Sequence, residues 1–180
     1  ARTLSVTASI ELPLVNPIGT MVMVREGVAR LAMIGSYEVV GDGGVLELDL
    51  RGETPVARVL LRDDELPAAV RGNIDGLAVI DDDVMVLKVV GQRRAGMDID
   101  VTRVVRYDRR TQAVRVLVQR GVWSGAVPVV LGDTVFVGDP GEGAGHSGAG
   151  VRRFDLAGEA RGEAAGVGVE MFPYDLQRAP

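Results

Sequence analysis

The chain is organised as short apolar segments separated by glycine, aspartate, asparagine and proline. The segments are rich in Val, Leu, Ile and Met, and the helical spacing of three and four is hard to find among them. Both properties favour β-strands over helices. Three pairs of neighbouring segments are separated only by tight polar turns, which is typical of β-hairpins; these turns are residues 25–27, 81–83 and 132–133.

A short motif occurs three times at intervals of about fifty residues, which is the spacing expected of stacked modules. Each copy has an apolar start, then a large apolar or aromatic residue directly before an aspartate, and a turn soon afterwards. The three aspartates are Asp49, Asp108 and Asp155. Because an aspartate at the end of a strand can accept hydrogen bonds from turn N–H groups, we interpret all three as parts of the scaffold.

The order of segments predicts a four-stranded antiparallel unit in each repeat: a hairpin, a longer connection, the motif strand and a closing strand. We therefore expect a single all-β domain over residues 1–180. It would contain repeats at about 17–66, 73–120 and 123–165, with terminal strands at 1–16 and 166–180. A helix is expected only near residues 63–70, and Pro67 would keep it short.

This unit resembles a β-propeller blade of the broad YVTN, NHL and quinoprotein-like group. The resemblance covers residues 17–165, and residues 107–111 (Tyr-Asp-Arg-Arg-Thr) are similar to the Tyr-Asp-x-x-Thr-Gly turn of that group, with Gln112 where glycine is usual. It implies tandem blades of a partial β-propeller; an open antiparallel sheet or a β-sandwich is the alternative. Propellers close with four to eight blades, so three blades imply self-association or further blades.

The charge and the cysteine content of the chain limit the kinds of partner and site that it could have. The net charge is −5 with a pI near 5.0, and no basic stripe is present, which argues against nucleic acid. The chain has no cysteine, which excludes disulfides and thiolate metal sites. No apolar run approaches the roughly 18 residues of a membrane span.

Two further features concern the origin of the chain. Lys88 is the only lysine among 20 basic residues, a usage typical of a GC-rich bacterial genome. The chain begins at Ala1 without methionine, so we expect a processed or excised product. The compartment stays open, and an extracytoplasmic location, secreted or periplasmic, is favoured.

The glycine-rich segment 143–148 matches the dinucleotide-binding pattern G-x-G-x-x-G. That pattern binds a pyrophosphate only where a helix follows, and here another strand is expected, so we interpret the segment as a loop and predict no cofactor-binding residue. His146, the only histidine, has no second histidine with which to bind a metal. Asp139 and Glu142 beside His146 form an oxygen cluster that leaves Ca²⁺ possible, and no catalytic or metal residue is predicted.

In propellers, ligands and partners meet the loops on one face, and loops on a rigid scaffold often carry function. These loops are the long connections inside the repeats and the links between repeats, especially residues 71–75. The candidate partner-binding residues there are Tyr37, Asp75, Trp123, Asp139 and His146. We expect a binding or interaction module of a bacterial propeller-like repeat protein, with an unknown protein or small-molecule ligand. Two alternatives stay open: a propeller-type hydrolase or oxidoreductase with a central metal or organic cofactor, and a structural piece of a larger assembly.

Overall fold

The computed structural model of the chain describes residues 9–17, 20–36, 41–91, 101–120, 127–139, 141 and 149–166. These residues form three four-stranded antiparallel sheets, none of which closes into a barrel, so the all-β prediction with tandem sheets is confirmed. In every sheet the strands lie side by side in chain order.

The strand boundaries follow the three predicted repeats. Sheet 1 contains β1 (Met21–Arg25), β2 (Val28–Met33), β3 (Gly44–Asp49) and β4 (Val56–Arg62). Sheet 2 contains β5 (Asn73–Val79), β6 (Val84–Val90), β7 (Thr102–Asp108) and β8 (Ala113–Arg120). Sheet 3 contains β9 (Val129–Leu131), β10 (Thr134–Asp139), β11 (Gly150–Asp155) and β12 (Ala160–Gly166).

The three sheets are stacked face to face, and the middle one is buried on both faces. Alternate residues of β6 point to opposite neighbours: Met85 and Leu87 join the core shared with sheet 1, whereas Val86 joins the core shared with sheet 3. This double burial explains why β6 is an almost continuous apolar run, without the polar alternation of a half-exposed strand.

The stack is tighter along its first strands than along its last. In the described residues, the most extensive backbone approaches between different sheets involve β5, which lies against β1, β2 and β3 on one side and β9 on the other. The sheets therefore spread apart from their first strands towards their last, like the blades of a fan.

The repeated aspartates cap their turns as the sequence predicts. The Asp49 carboxylate accepts the amide of Arg51 at 3.1 Å, and the Asp108 carboxylate accepts the amides of Arg110 and Thr111. The Asp155 carboxylate accepts the amides of Ala157 and Glu159, at 2.9 and 2.8 Å, in the same way. Because all three sheets contain this aspartate–amide hydrogen bond, the three aspartates are part of the scaffold.

Two local predictions need correction. Residues 9–16 are not the expected terminal strand: Pro13 has no N–H to donate, and the segment lies across sheet 1 with Leu14 buried against Met33 and Leu46. Residues 63–70 form two single turns of 3₁₀ helix, at Asp63–Glu65 and Ala68–Val70, because Pro67 interrupts them. In the described part of the chain no helix is long and apolar enough to cross a membrane.

Candidate functional site

The two ends of the stacked sheets differ. At one end, the second and third strands of each sheet are joined by segments of ten or eleven residues: 34–43, 91–101 and 140–149. We refer to this as the long-loop end, and it also holds the links from sheet 1 to sheet 2 and from sheet 2 to sheet 3. The opposite, short-turn end holds the tight hairpin turns and the aspartate-capped turns.

Buried polar groups concentrate at the long-loop end. Among the residues that the structure describes, six polar or charged side chains are buried, and Asp63, Asn73, Thr102 and Asp139 belong to this end. The other two, Arg30 and Glu47, lie between sheets 1 and 2. Because burying a polar group is unfavourable unless it is hydrogen-bonded, each position requires a structural explanation.

Asp139 ends β10, where the 140–149 segment begins, and is fully buried. Its Oδ1 accepts hydrogen bonds from Nε of Arg120 at 2.7 Å and from the amide of Gly141 at 3.0 Å. Its Oδ2 accepts a hydrogen bond from Nε of Arg152 at 2.9 Å. Since Arg120 ends β8 and Arg152 lies on β11, this carboxylate joins sheet 2 to sheet 3.

The electrostatic balance at Asp139 favours the charged form. Burial by itself would raise the pKa of the carboxyl, but the hydrogen bonds from Arg120, Gly141 and Arg152 outweigh burial and hold the pKa below its ordinary value. An ionised carboxylate between two guanidinium groups holds the start of the 140–149 segment rigidly at the boundary of two sheets.

Asp63 follows β4 and supports the 34–43 segment at its returning side. The side chain is fully buried, Oδ1 accepts the amide of Gly41 at 2.5 Å, and Oδ2 has no hydrogen-bond partner. Burial raises the pKa of the Asp63 carboxyl to about 6; the Gly41 amide opposes this rise, and the carboxylates of Asp42 and Asp64 add to it.

Asn73 begins β5 and supports the other side of the same segment. Its Nδ2 donates to the carbonyls of Ile34 at 2.6 Å and Ser36 at 3.0 Å, while its Oδ1 has no partner. The 34–43 segment is thus attached at its departing side by a residue of sheet 2 and at its returning side by Asp63. Both supports come from residues distant in sequence.

The short-turn end carries a cleft of about 360 Å³ on sheet 1, lined by Arg25, Glu47, Asp49, Arg51, Val56 and Arg58. Its guanidinium groups are paired with carboxylates: Arg51 with Asp49 at 2.6 Å, and Arg58 with Glu47 at 2.5 Å. Arg25 pairs with Asp82 at 3.2 Å. This pairing balances the charge of the cleft.

Of the five candidate binding residues, the structure describes two. Asp75 lies on β5 and forms an ion pair with Lys88 at 2.8 Å, and Asp139 is the buried carboxylate described above. Tyr37, Trp123 and His146 lie outside the described residues, in segments whose described neighbours lie at the long-loop end. Their part in binding stays a prediction.

The possible Ca²⁺ cluster is only partly within the described residues. Asp139 faces two guanidinium groups, which would repel a cation, and Glu142 and His146 lie outside the described ranges. In the part of the chain that the structure describes, no three acidic or histidine side chains are arranged to hold a metal ion.

Sequence reasoning missed four supporting residues: Asp63, Asn73, Arg120 and Arg152. Asp63, Asn73 and Arg120 lie at or next to strand ends that open onto the long-loop end, and Arg152 is the third residue of β11, which begins there. That position is the one available signal, since polar residues at strand ends beside long connections are placed to hold loops. Which of these residues is buried depends on the neighbouring sheet and cannot be predicted from the local sequence.

Comparison with known proteins adds no relative. No family model matches this sequence, and no curated protein is significantly similar to it. The three tandem four-stranded antiparallel sheets are consistent with blade-like repeats.

Proposed function

We propose that the chain is a propeller-like binding module that recognises a protein partner through the loops of its long-loop end. The observation that carries the proposal is the fully buried Asp139 carboxylate, which ties Arg120 and Arg152 together at the base of a long loop. The way in which the loop bases are held supports a binding role, and the spread of the loop bases supports a protein as the partner.

Rigid loop bases favour a binding role. Ordering a loop during binding is unfavourable in entropy, and a loop whose base is already fixed loses less. Asn73 and Asp63 fix the two sides of the 34–43 segment, and Asp139 fixes the start of the 140–149 segment. Such supports prepare a surface for recognition.

The buried polar groups at the long-loop end also favour a binding role. A buried ion pair contributes little net stability compared with well-packed apolar residues, and an unpartnered buried oxygen is unfavourable. Asp63 and Asn73 each hold such an oxygen. Sites where a fold departs from its most stable arrangement are often functional.

The spread of the loops favours a protein over a small ligand. The bases of the three loops, carried by three stacked sheets, are spread over about 20 Å, since packed sheets are about 10 Å apart. Each partner contributes roughly 800 Å² to a protein interface, a patch about 28 Å across, so a span of about 20 Å fits within such a patch.

A phage-displayed random peptide library, selected on the immobilised chain, tests the proposal. We expect enriched peptides that bind the wild-type chain and lose at least about tenfold in affinity on Tyr37→Ala or Trp123→Ala, because aromatic anchors dominate interfaces. Leu50→Ala is the control, since Leu50 is exposed at the short-turn end.

Peptides whose affinity falls on Leu50→Ala and not on the loop variants would contradict the proposal. So would a selection that enriches no peptide. Circular dichroism of each variant establishes that the fold is unchanged.

A further inference from the structure

We propose that two copies of this chain associate head to tail into a closed ring of six sheets, with the outer face of sheet 1 in each copy packed on the outer face of sheet 3 in the other. This inference concerns the end faces of the stack and does not depend on the proposed binding role. It rests on exposed apolar residues, on the fan shape of the stack and on the number of sheets.

The outer face of sheet 1 is apolar and only partly covered. Met21 and Met23 on β1 point to this face, opposite Leu31 and Ala29, and are 58% and 55% exposed. Leu12 and Leu14 cover the neighbouring part of the face, beside Met33 and Leu46. Two adjacent exposed methionines on the first strand leave an apolar patch beside that cover.

The part of the outer face of sheet 3 that β9 and β10 form is apolar, whereas Arg153 of β11 lies opposite Phe136 on the same face. Val135 and Val137 of β10 point inward to sheet 2, so Phe136 between them points outward. Val129 is paired with Phe136 on that face, and Leu131, two residues further along β9, is 49% exposed.

The two internal interfaces show how such faces pack. Sheet 2 buries both of its faces against its neighbours through alternating Val, Leu and Met side chains, and forms one core with each. Sheets 1 and 3 have the same strand order as sheet 2, but among the described residues each has only one sheet neighbour. A second copy would give each of them the neighbour that sheet 2 already has on both sides.

The fan shape directs the stack towards closure. The sheets approach each other at β5, against β1 and β9, and spread apart towards β4, β8 and β12. A stack that spreads in this way curves around its first strands. Rings of this kind close with four to eight sheets, and of the multiples of three only two copies fall in that range.

The contact area is sufficient for a stable dimer. A face of four strands, each about 20 Å long and about 4.8 Å from the next, covers about 400 Å². The closed ring would bury four such faces, or about 1,600 Å², which is the standard size of a specific interface. The existing cover of Leu12 and Leu14 reduces this figure to roughly 1,200 Å², still within the stable range.

Sedimentation velocity and light scattering on the 180-residue chain test the proposal. We expect a mass of twice 19.0 kDa at micromolar concentration. The double variant Met21→Asp with Met23→Asp, and separately Leu131→Asp, should each give the mass of one chain, because in a head-to-tail ring either change disrupts both contacts. Val116→Asp is the matched control: Val116 is 44% exposed on the last strand of sheet 2, away from both end faces.

Mixing the two disrupted variants distinguishes head-to-tail closure from other dimers. The sheet 3 face of the Met21/Met23 variant and the sheet 1 face of the Leu131 variant are both intact, so the mixture should regain a two-chain mass through one contact. Because one contact buries only about 600 Å², this recovery should need a higher protein concentration than the wild-type dimer. A wild-type monomer, a mass of three or more chains, a loss of dimer in only one variant, or no recovery on mixing would each overturn the proposal. Thermal melts of every variant show that the chain itself is folded.

Discussion

Asp139 and Asp63 are both fully buried at the long-loop end, yet their surroundings shift their pKa values in opposite directions. Two arginines face Asp139, whereas Asp63 has one amide donor and two neighbouring carboxylates. The same type of side chain is therefore a structural anion at position 139 and, at position 63, an acid that retains its proton up to a pH of about 6.

Replacing Asp139 by Asn should destabilise the chain by about 3–5 kcal/mol, because Arg120 and Arg152 would lose their buried counter-charge. Urea unfolding followed by circular dichroism measures the free energy of unfolding. The matched control is Asp133→Asn, whose partner Arg161 is 49% exposed, and its effect should stay below about 1 kcal/mol. Equal effects of the two substitutions would contradict the structural role of Asp139.

Asp63 predicts a pH dependence. Its pKa is about 6 in the folded state and 3.8 in an ordinary environment, so between these values the unfolded chain ionises while the folded chain keeps its proton. The stability of the wild type should therefore fall as the pH rises through this window, by about 3 kcal/mol from this residue.

The Asp63→Asn variant lacks this titration and should gain about that much stability relative to the wild type between pH 4 and pH 7. Urea unfolding at a series of pH values measures the difference. Glu53→Gln, which removes an exposed carboxylate, should show a constant difference from the wild type over the same range. A constant difference for Asp63→Asn would show that the residue does not titrate in this window.

Among the strands and turns, hydrogen bonds to aspartate define the hairpin turns, and at some strand ends the backbones of paired strands lie very close together. Asp108 accepts two turn amides after β7, and these bonds hold its pKa below the ordinary value, the Thr111 amide contributing most. Gly44, at the start of β3, lies directly beside the backbone of β4, and its φ is +150°.

Gly44→Ala should destabilise the chain by about 3 kcal/mol, because the added Cβ would overlap the carbonyl oxygen of Leu61 and strain the backbone. The Leu61 oxygen belongs to the backbone of the paired strand, so a side-chain rotation cannot relieve the overlap. Thermal unfolding and amide exchange of β3 and β4 measure the effect. Gly52→Ala is the control, since its Cβ would meet nothing closer than 3.5 Å; an equal loss in both would argue against close approach as the cause.

At the scale of the whole molecule, charged side chains also connect sheets 1 and 2. Arg30 of β2 is 2% exposed and donates to the carbonyls of Asp81 and Asp82 in the β5–β6 turn, at 3.1 and 2.9 Å. Its Nε lies 3.5 Å from the buried Glu47 carboxylate. Arg30 therefore links the two sheets, and the shared apolar core continues behind it.

Arg30→Ala should destabilise the chain by about 3–5 kcal/mol, because it removes one partner of the buried Arg30–Glu47 ion pair and empties the space that the side chain fills between the two sheets. The unfolding transition should remain single, because sheet 2 shares a core with each neighbour. Arg25→Ala is the control: Arg25 is 46% exposed in its pair with Asp82, and its loss should have an effect of less than about 1 kcal/mol. Two separate transitions would contradict a shared core.

Local sequence patterns were enough to predict the strands, their order along the chain and their turns. These depend on local information: alternating or continuous apolar runs, and aspartate or glycine at turns such as 81–83 and after Asp108. The local prediction failed at residues 9–16, where the apolar residues serve as cover for sheet 1 and form no strand.

The packing of the three sheets, in contrast, determines which polar residues are buried and which segments they hold. Arg120 and Asp139 lie in different sheets, as do Asn73 and the Ile34 carbonyl that it binds. No local pattern specifies such pairs, because the sequence around a carboxylate or an amide does not distinguish an exposed turn from a buried turn. Burial and partners come from stacking one sheet on the next, so the long-loop end as a site exists only once the three sheets are packed.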